Sequence, residues 1–420
     1  MAYPGPSGTQ GVGGCRHCGA PLEHTFCDLG MSPLANAYVP AGCLGAKEAF
    51  YPLHVYVCGR CLLVQLQEFE SPQEIFSDYA YFSSYSESWL AHARAYTAEV
   101  TSRFGLGASS HVVEIASNDG YLLQYFRAGG VPVLGIEPAA NVAHVAIEKG
   151  IPTRVAFFGT ETARALRAEG VHADLLLGNN VLAHVPQLHD FVEGLKLLLK
   201  PGGVITMEFP HLLQLIRQNQ FDTIYHEHFS YFSLFAVEQV FARHQLRLFD
   251  VESLETHGGS LRIFAAHDGD VDRDPSARLQ ALRDEERGAG LTSLEGYRAF
   301  GDAVKRAKRD LLRFLIDAKD QGKTVAGYGA PAKGNTLLNY CGIGPDFIDY
   351  TVDRSPHKQG RALPGVHIPI HDPDRIRATR PDYVLILPWN LKNEVMNQMA
   401  YVREWGARFV VPIPAVTVLP

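Results

Sequence analysis

From His111 onward, short runs of apolar residues alternate with segments whose apolar positions recur every three or four residues. His111–Ala116, Pro132–Ile136, Ala173–Gly178 and Gly203–Phe209 read as strands buried on both faces. Tyr121–Ala128, Asn141–Lys149, Thr160–Ala168 and Leu188–Leu199 read as the helices between them. A parallel crossover needs a helix to cover the sheet, so this alternation predicts a doubly wound α/β sheet. Pro201-Gly202-Gly203 supplies the turn into its fourth strand. Further on, Leu246–Ser253 and Ser260–Ala265 read as strands, and Asp268–Asp274 as an Asp-rich loop. Pro275 suits a first helical turn and opens a charged helical stretch to about Gly322. At Lys323 a second α/β pattern begins, with strands Thr324–Tyr328, Phe347–Val352 and Tyr383–Leu387 and a helix near Lys333–Tyr340.

Upstream, residues 1–12 are small and polar and read as a tail. A cysteine-bearing module follows over 13–70. The central α/β domain then covers 71–267, with a lead-in rich in Tyr, Phe and Ser that turns helical around Trp89–Val100. Residues 268–322 form a linker and helical region, and 323–420 a C-terminal α/β domain.

Composition narrows the function classes. The chain has 420 residues, 46% hydrophobic and 20% charged, which suits a soluble globular protein of several domains. With 38 basic and 45 acidic residues and no basic stripe, no nucleic-acid partner is expected. Lys305, Arg306, Lys308 and Arg309 read as a solvated helix face. Met1–Gly14 contains no apolar leader, and no apolar run reaches the roughly 18 residues of a membrane span. Seven cysteines, an odd number, speak against a full disulfide framework. The expectation is a cytoplasmic protein with no membrane partner, a monomer or simple homo-oligomer.

Cys15-Arg16-His17-Cys18 and Cys58-Gly59-Arg60-Cys61 are two C-x-x-C knuckles. Together they offer four thiolates, the closed tetrahedral set that structural zinc prefers. Two redox dithiols or four buried free cysteines are the alternative. A closed site leaves no position for substrate, so zinc here serves folding. Cys27, Cys43 and Cys341 lack such spacing and read as core residues.

The first strand of the central sheet, carrying Glu114 and Ala116, runs into Ser117-Asn118-Asp119-Gly120 and then a helix. A turn of small residues there lets a ligand approach the backbone and the helix N-terminus. The second strand ends in Glu137, placed to accept hydrogen bonds from ribose hydroxyls. The turn keeps only Gly120 of a G-x-G-x-x-G pattern. That argues against a dinucleotide and favours the other adenosyl ligand, S-adenosylmethionine. Asn179 and His184 follow the strand Ala173–Gly178, at the carboxyl end where ligands lie. Asn180 reads equally well as a helix cap.

Gly327-Tyr328-Gly329-Ala330-Pro331-Ala332 fits G-x-G-x-x-A, and Asp353 ends the next strand. On that motif alone, an NAD-dependent sugar-nucleotide oxidoreductase or epimerase is the rival reading. Pro331 and Lys333 alter the turn and rank it second.

The double knuckle, Glu114–Gly120, Tyr225-His226-Glu227-His228-Phe229-Ser230-Tyr231-Phe232, His257-Gly258-Gly259-Ser260-Leu261-Arg262 and Gly327–Ala330 together resemble the sugar-nucleotide C-methyltransferases of antibiotic deoxysugar biosynthesis. The likeness runs through nearly the whole chain from Cys15. It implies a zinc-binding module, a central Rossmann-like S-adenosylmethionine domain and a C-terminal Rossmann-like domain that helps hold a dTDP-linked keto-deoxysugar. Members methylate C-3 of a 4-keto-2,6-dideoxyhexose or C-5 of a 4-keto-6-deoxyhexose.

Carbon methylation beside a ketone needs a base and a stabiliser for the enolate oxygen. By the resemblance, His228 is the base, Glu227 polarises or orients a neighbouring imidazole, and Tyr225 bonds the keto oxygen or sugar. Tyr79 and His184 complete the pocket. His226 reads as a core histidine. Gly329, Ala330, Lys333 and Asn335 would serve the nucleotide's phosphates, with Asp353, Lys358 and Asn390 as further contacts and Trp389 as packing. His257–Ser260 either closes over the sugar or is a simple turn. A non-catalytic nucleotide-sugar binding protein ranks last, because Tyr225, Glu227 and His228 are all present.

Overall fold

The computed structural model describes residues 13–71, 82–270 and 273–420. Tyr79 lies outside them. The chain groups into two compact units, each built from three stretches. Unit 1 takes residues up to His24, Tyr56–His211 and Phe229–Glu295, and unit 2 takes Thr25–Val55, Leu212–His228 and Gly296–Pro420. The sequence pattern divides the chain linearly at 70, 267 and 322. The spatial grouping differs because Thr25–Val55 and Leu212–His228 fold back onto helices of the C-terminal region, as Phe26 does onto Phe300.

Unit 1 holds a seven-stranded sheet. Its strands in chain order are β1 (Val112–Ile115), β2 (Val133–Ile136), β3 (Thr153–Arg154), β4 (Ala173–Asn179), β5 (Leu199–Pro210), β6 (Leu246–Leu254) and β7 (Ser260–His267). The spatial order is β3-β2-β1-β4-β5-β7-β6. β1 to β5 run parallel, and β7 is antiparallel to both β5 and β6. Val112, Val113, Leu175, Leu176 and Leu177 are buried, as continuous apolar runs covered on both faces require. The order reverses between β1 and β4, and the crevice outside their carboxyl ends is where such sheets bind ligands.

The lead-in helix, α1 (Glu87–Phe104), extends past the predicted 89–100 because both ends are capped. The Ser86 side chain accepts the Trp89 N–H, and Gly105 ends the helix at φ 62°. Glu286 accepts the Leu234 and Phe235 backbone N–H groups, at 2.6 and 2.9 Å, and so caps helix α2 (Leu234–Ala242). Its Oε1 also lies 2.8 Å from Nε2 of His211.

Asp250 on β6 sets a pH limit for this unit. Its buried carboxylate accepts from Arg278, Ser276 and Arg103, and these bonds outweigh the cost of burial and hold it at about 2 against an ordinary 3.8. A depressed carboxylate contributes stability that is complete above the unfolded value and lost as pH falls through the folded one. The cited values make that roughly 2 kcal/mol, lost between about pH 4 and pH 2. Asp250→Asn is expected to flatten this part of the stability–pH curve, as read by urea unfolding at pH 2.5 to 5. An unchanged slope would rule the assignment out.

Unit 2 holds a six-stranded sheet of β8 (Val325–Tyr328), β9 (Thr351–Val352), β10 (Ile370–His371), β11 (Tyr383–Ile386), β12 (Arg408–Val411) and β13 (Thr417–Leu419). The order is β10-β9-β8-β11-β12-β13, with only the last pair antiparallel. The strand expected over Phe347–Val352 shrinks to its last two residues. Helix α3 (Phe300–Asp320) packs Phe300 flat on Phe26, with centroids 4.5 Å apart. Helix α4 (Ala332–Cys341) ends at Gly342, where φ is 72°.

Cys27 and Cys341 are buried as expected, but Cys43 is exposed, which corrects its reading as a core residue. It lies in a single 3-10 turn, Ala41–Cys43, that buries no residue. Among the described residues no helix is long and apolar enough to cross a membrane.

Candidate active site

The four knuckle cysteines converge in unit 1. Gly19 and Leu62 take left-handed backbone, φ 73° and 60°, and fold each knuckle back on itself. The Gly19 N–H bonds the Cys15 carbonyl at 2.8 Å, and the Leu62 N–H bonds that of Cys58 at 3.1 Å. All four Sγ atoms lie within 4.8 Å of one another. Tetrahedral thiolates around zinc stand about 3.8 Å apart, so the cluster fits the ion. Gln65 Nε2 donates to Cys15 Sγ at 3.1 Å, and the Arg60 N–H to Cys58 Sγ at 3.4 Å, the supporting bonds metal thiolates use.

At the end of β1 the backbone alternates. Ala116, Asn118 and Gly120 all have positive φ, at 54°, 49° and 75°. Left-handed residues alternating with ordinary ones turn successive N–H groups toward one concavity, and two of the three carry side chains that make this backbone costly. Only Gly120 signals the turn in the sequence. Its neighbours hold the strain through specific bonds. The Asn118 N–H donates to Glu137 Oε2 at 2.9 Å, and Asn118 Oδ1 accepts the Ser83 N–H at 2.9 Å. Glu137 Oε1 accepts the Ala139 N–H at 2.9 Å. Each Glu137 oxygen keeps a second lone pair, so the carboxylate both builds the turn and retains capacity for a ribose hydroxyl. Asn179, ending β4, reaches the Tyr121 hydroxyl at 3.4 Å. Glu114, on β1, is fully buried, and burial raises its carboxyl well above the ordinary range. His184 closes the 3-10 turn Leu182–His184 and is half-buried.

In unit 2 the segment Leu212–His228 carries Tyr225, Glu227 and His228. His228 Nδ1 lies 2.9 Å from the Thr223 carbonyl. A carbonyl only accepts, so Nδ1 bears the hydrogen and the basic lone pair is on Nε2. The Tyr225 ring packs against the imidazole at a centroid distance of 4.0 Å. Burial pushes the Glu227 carboxyl up to about 7, with Asn36 Nδ2 donating to it at 2.7 Å. His226 meets the Pro52 carbonyl at 3.3 Å and the edge of Tyr51, the surroundings of a core histidine.

The Gly-rich turn after β8 is knitted from within. Gly329 has φ 87°, and a Cβ there would meet Pro388 Cδ at 2.6 Å. Asp353 Oδ2 accepts the Ala330 N–H at 2.7 Å, and its Oδ1 accepts the Ser355 N–H at 2.9 Å. Lys358 Nζ donates to the Ala330 carbonyl at 2.9 Å. Asp353 is thus the scaffold of the turn. Lys333 Nζ bonds Asn390 Oδ1 at 2.9 Å and lies 4.6 Å from the centroid of the Trp389 ring. Trp389 Nε1 donates to the buried Asp222 at 2.6 Å. Asn335 is fully buried on α4. Asn36 and Asp222 escape sequence reasoning, since neither has neighbours at a telling spacing.

Three family profiles divide the chain. A zinc binding domain matches residues 15–76, a methyltransferase domain 89–251 and a C-methyltransferase C-terminal domain 255–414. The C-methyltransferase NovU of Streptomyces niveus is 38% identical over 400 residues, 95% of each chain. The chain belongs to this C-methyltransferase family. It is an enzyme that uses S-adenosylmethionine and carries a zinc-binding module. The ubiquinone biosynthesis O-methyltransferase of Chelativorans sp. (strain BNC1) is 30% identical over 95 residues, 22% of this chain and 38% of that one. A solved S-adenosylmethionine-dependent methyltransferase from Clostridium acetobutylicum superposes with a TM-score of 0.36 at 12% identity, covering 43% of this chain and 92% of that one.

Proposed function

We propose that this C-methyltransferase acts on a dTDP-linked 4-keto-deoxyhexose and methylates the ring carbon beside the ketone, C-3 in preference to C-5. The observation that carries the reading is the His228–Thr223 bond, because it leaves the imidazole a base at Nε2. The proton moves from the ring carbon to Nε2. The electron pair passes toward the keto oxygen, where the Tyr225 hydroxyl and the neutral form of Glu227 are donors for the developing charge. Bound S-adenosylmethionine supplies an electrophilic methyl group, and the residues that would hold it are Ala116, Asn118, Gly120, Glu137 and Asn179. His184 and Tyr79 are assigned to the sugar pocket. Lys333 and Lys358, with Gly329, Ala330, Asn335 and Asn390, are assigned to the nucleotide, and Asp353 shapes their turn.

The test is turnover of S-adenosylmethionine with dTDP-4-keto-2,6-dideoxyhexose, read by mass spectrometry. The expected product is heavier by one methyl and accompanied by S-adenosylhomocysteine, and NMR of it locates the carbon. Methylation only of a 4-keto-6-deoxyhexose would move the assignment to C-5. No methylated product from either sugar would overturn the substrate class.

A further inference from the structure

The segment around Asn36 and Tyr38 in unit 2 holds two side chains that the chemistry above does not use. Asn36 is exposed, yet its Nδ2 donates to the buried Glu227 at Oε1, 2.7 Å away. The Tyr38 hydroxyl stands 3.3 Å from Asn36 Oδ1 and 2.6 Å from the Ala330 carbonyl. Lys358 Nζ reaches the same carbonyl and lies 3.4 Å from Asp353 Oδ2. A continuous path of polar contacts therefore runs from the Gly-rich turn to Glu227.

A phenol has one proton and two acceptors compete for it here. When it goes to Asn36 Oδ1, the amide must present Nδ2 to Glu227, and a donor at that place favours the carboxylate. When it goes to Ala330, the phenol oxygen becomes an acceptor. The amide can then turn end for end and offer Oδ1 to Glu227, which must be protonated to donate. Each arrangement satisfies every member of the chain, and they differ in the proton on Glu227.

We propose that Asn36 and Tyr38 are positioning residues that orient Glu227 and set its protonation state, with Tyr38 making that state responsive to an anionic ligand on the Ala330–Lys358 turn. Tyr38 and Lys358 both donate to the two lone pairs of the Ala330 carbonyl, so a phosphate that draws Lys358 away removes one donor, strengthens the Tyr38 bond and favours the protonated arrangement. The inference rests on the reading of Glu227 as a catalytic group. The titratable groups on its own segment are Tyr225, His226 and His228, and those along the path are Tyr38, Lys358 and Asp353. Burial holds Glu227 up while Asn36 pulls it down, and the Tyr38 phenol in turn feels Glu227.

The experiment is a carboxyl-carbon NMR titration of the full chain with labelled glutamate, the Glu227 signal being assigned by its loss in Glu227→Gln. Asn36→Ala is expected to raise the midpoint by about one unit, a tenfold loss of acidity. Tyr38→Phe, which keeps the ring and its packing, is expected to raise it less, and to abolish the shift that inorganic diphosphate produces in the parent. In turnover, Asn36→Ala moves the corresponding limb of the kcat–pH profile and leaves KM for S-adenosylmethionine unchanged. Midpoints unmoved in both variants would overturn the relay, even if Glu227→Gln is inactive. Full activity of Glu227→Gln would instead remove Glu227 from catalysis and leave the relay to be judged by the titration alone.

Discussion

His228→Asn is expected to lower kcat by about two to four orders of magnitude, the range that a positioned base contributes. The substitution is conservative where it must be. An Asn amide can donate to the Thr223 carbonyl as Nδ1 does, so the segment keeps its anchor. What disappears is the Nε2 lone pair. Under the proposed reading His228 serves the sugar and the alternating turn Ala116–Gly120 the methyl donor, so S-adenosylmethionine should bind with unchanged affinity by calorimetry. The loss should fall on kcat with little change in KM, as for an interaction made in the transition state. Hydrogen exchange at the substrate's acidic carbon, followed in deuterated water without the methyl donor, should stop in the variant. Exchange at the parent rate would remove His228 from the base role.

Breaking the cysteine cluster should have the largest effect on stability. Purified protein is expected to carry one zinc ion per chain by elemental analysis, and Cys58→Ser to lose most of it. Cys15, Cys58 and Cys61 lie in the same core as Leu63, Phe209 and Phe232, so the knuckles are part of the packing of unit 1. Metal binding is folding free energy where the site does not persist without it. A loss on the order of 5 kcal/mol would lower Tm by about 10 °C or more in a unit of this size. Strong chelation should reproduce the effect, and added zinc should reverse it. Metal-free protein with the parent Tm and a reversible disulfide in each knuckle would establish the redox reading instead.

Much of this was legible in the sequence because the signals were long or repeated. The apolar runs Val112–Ile115 and Ala173–Asn179 and the helices after them were placed within about two residues. What was hidden had short or conformational signals. Thr153–Arg154 and Ile370–His371 are two-residue strands with no period to detect. The turn at 116–120 carries its information in φ, and Ala and Asn stand where glycine would have announced it. The path from Ala330 to Glu227 joins residues nearly 300 positions apart through single hydrogen bonds, which no spacing rule can find. The literal match at Gly327–Ala332 showed a Gly-rich turn, and the Asp353 bonds that shape that turn carry no sequence signal.

The interleaving of the units bears on how the protein is made. The chain passes from one unit to the other after residues 24, 55, 211, 228 and 295. During synthesis unit 1 therefore cannot close until Glu295 has left the ribosome, and Thr25–Val55, whose strands pair with each other, waits still longer for the rest of unit 2. Nascent chains in that interval expose apolar strands awaiting distant partners, the condition that invites aggregation and chaperone capture. Cutting the gene at residue 267 or 322 would deliver fragments missing parts of their own cores. Heterologous production should accordingly respond more to translation rate and chaperone supply than to any choice of domain boundary.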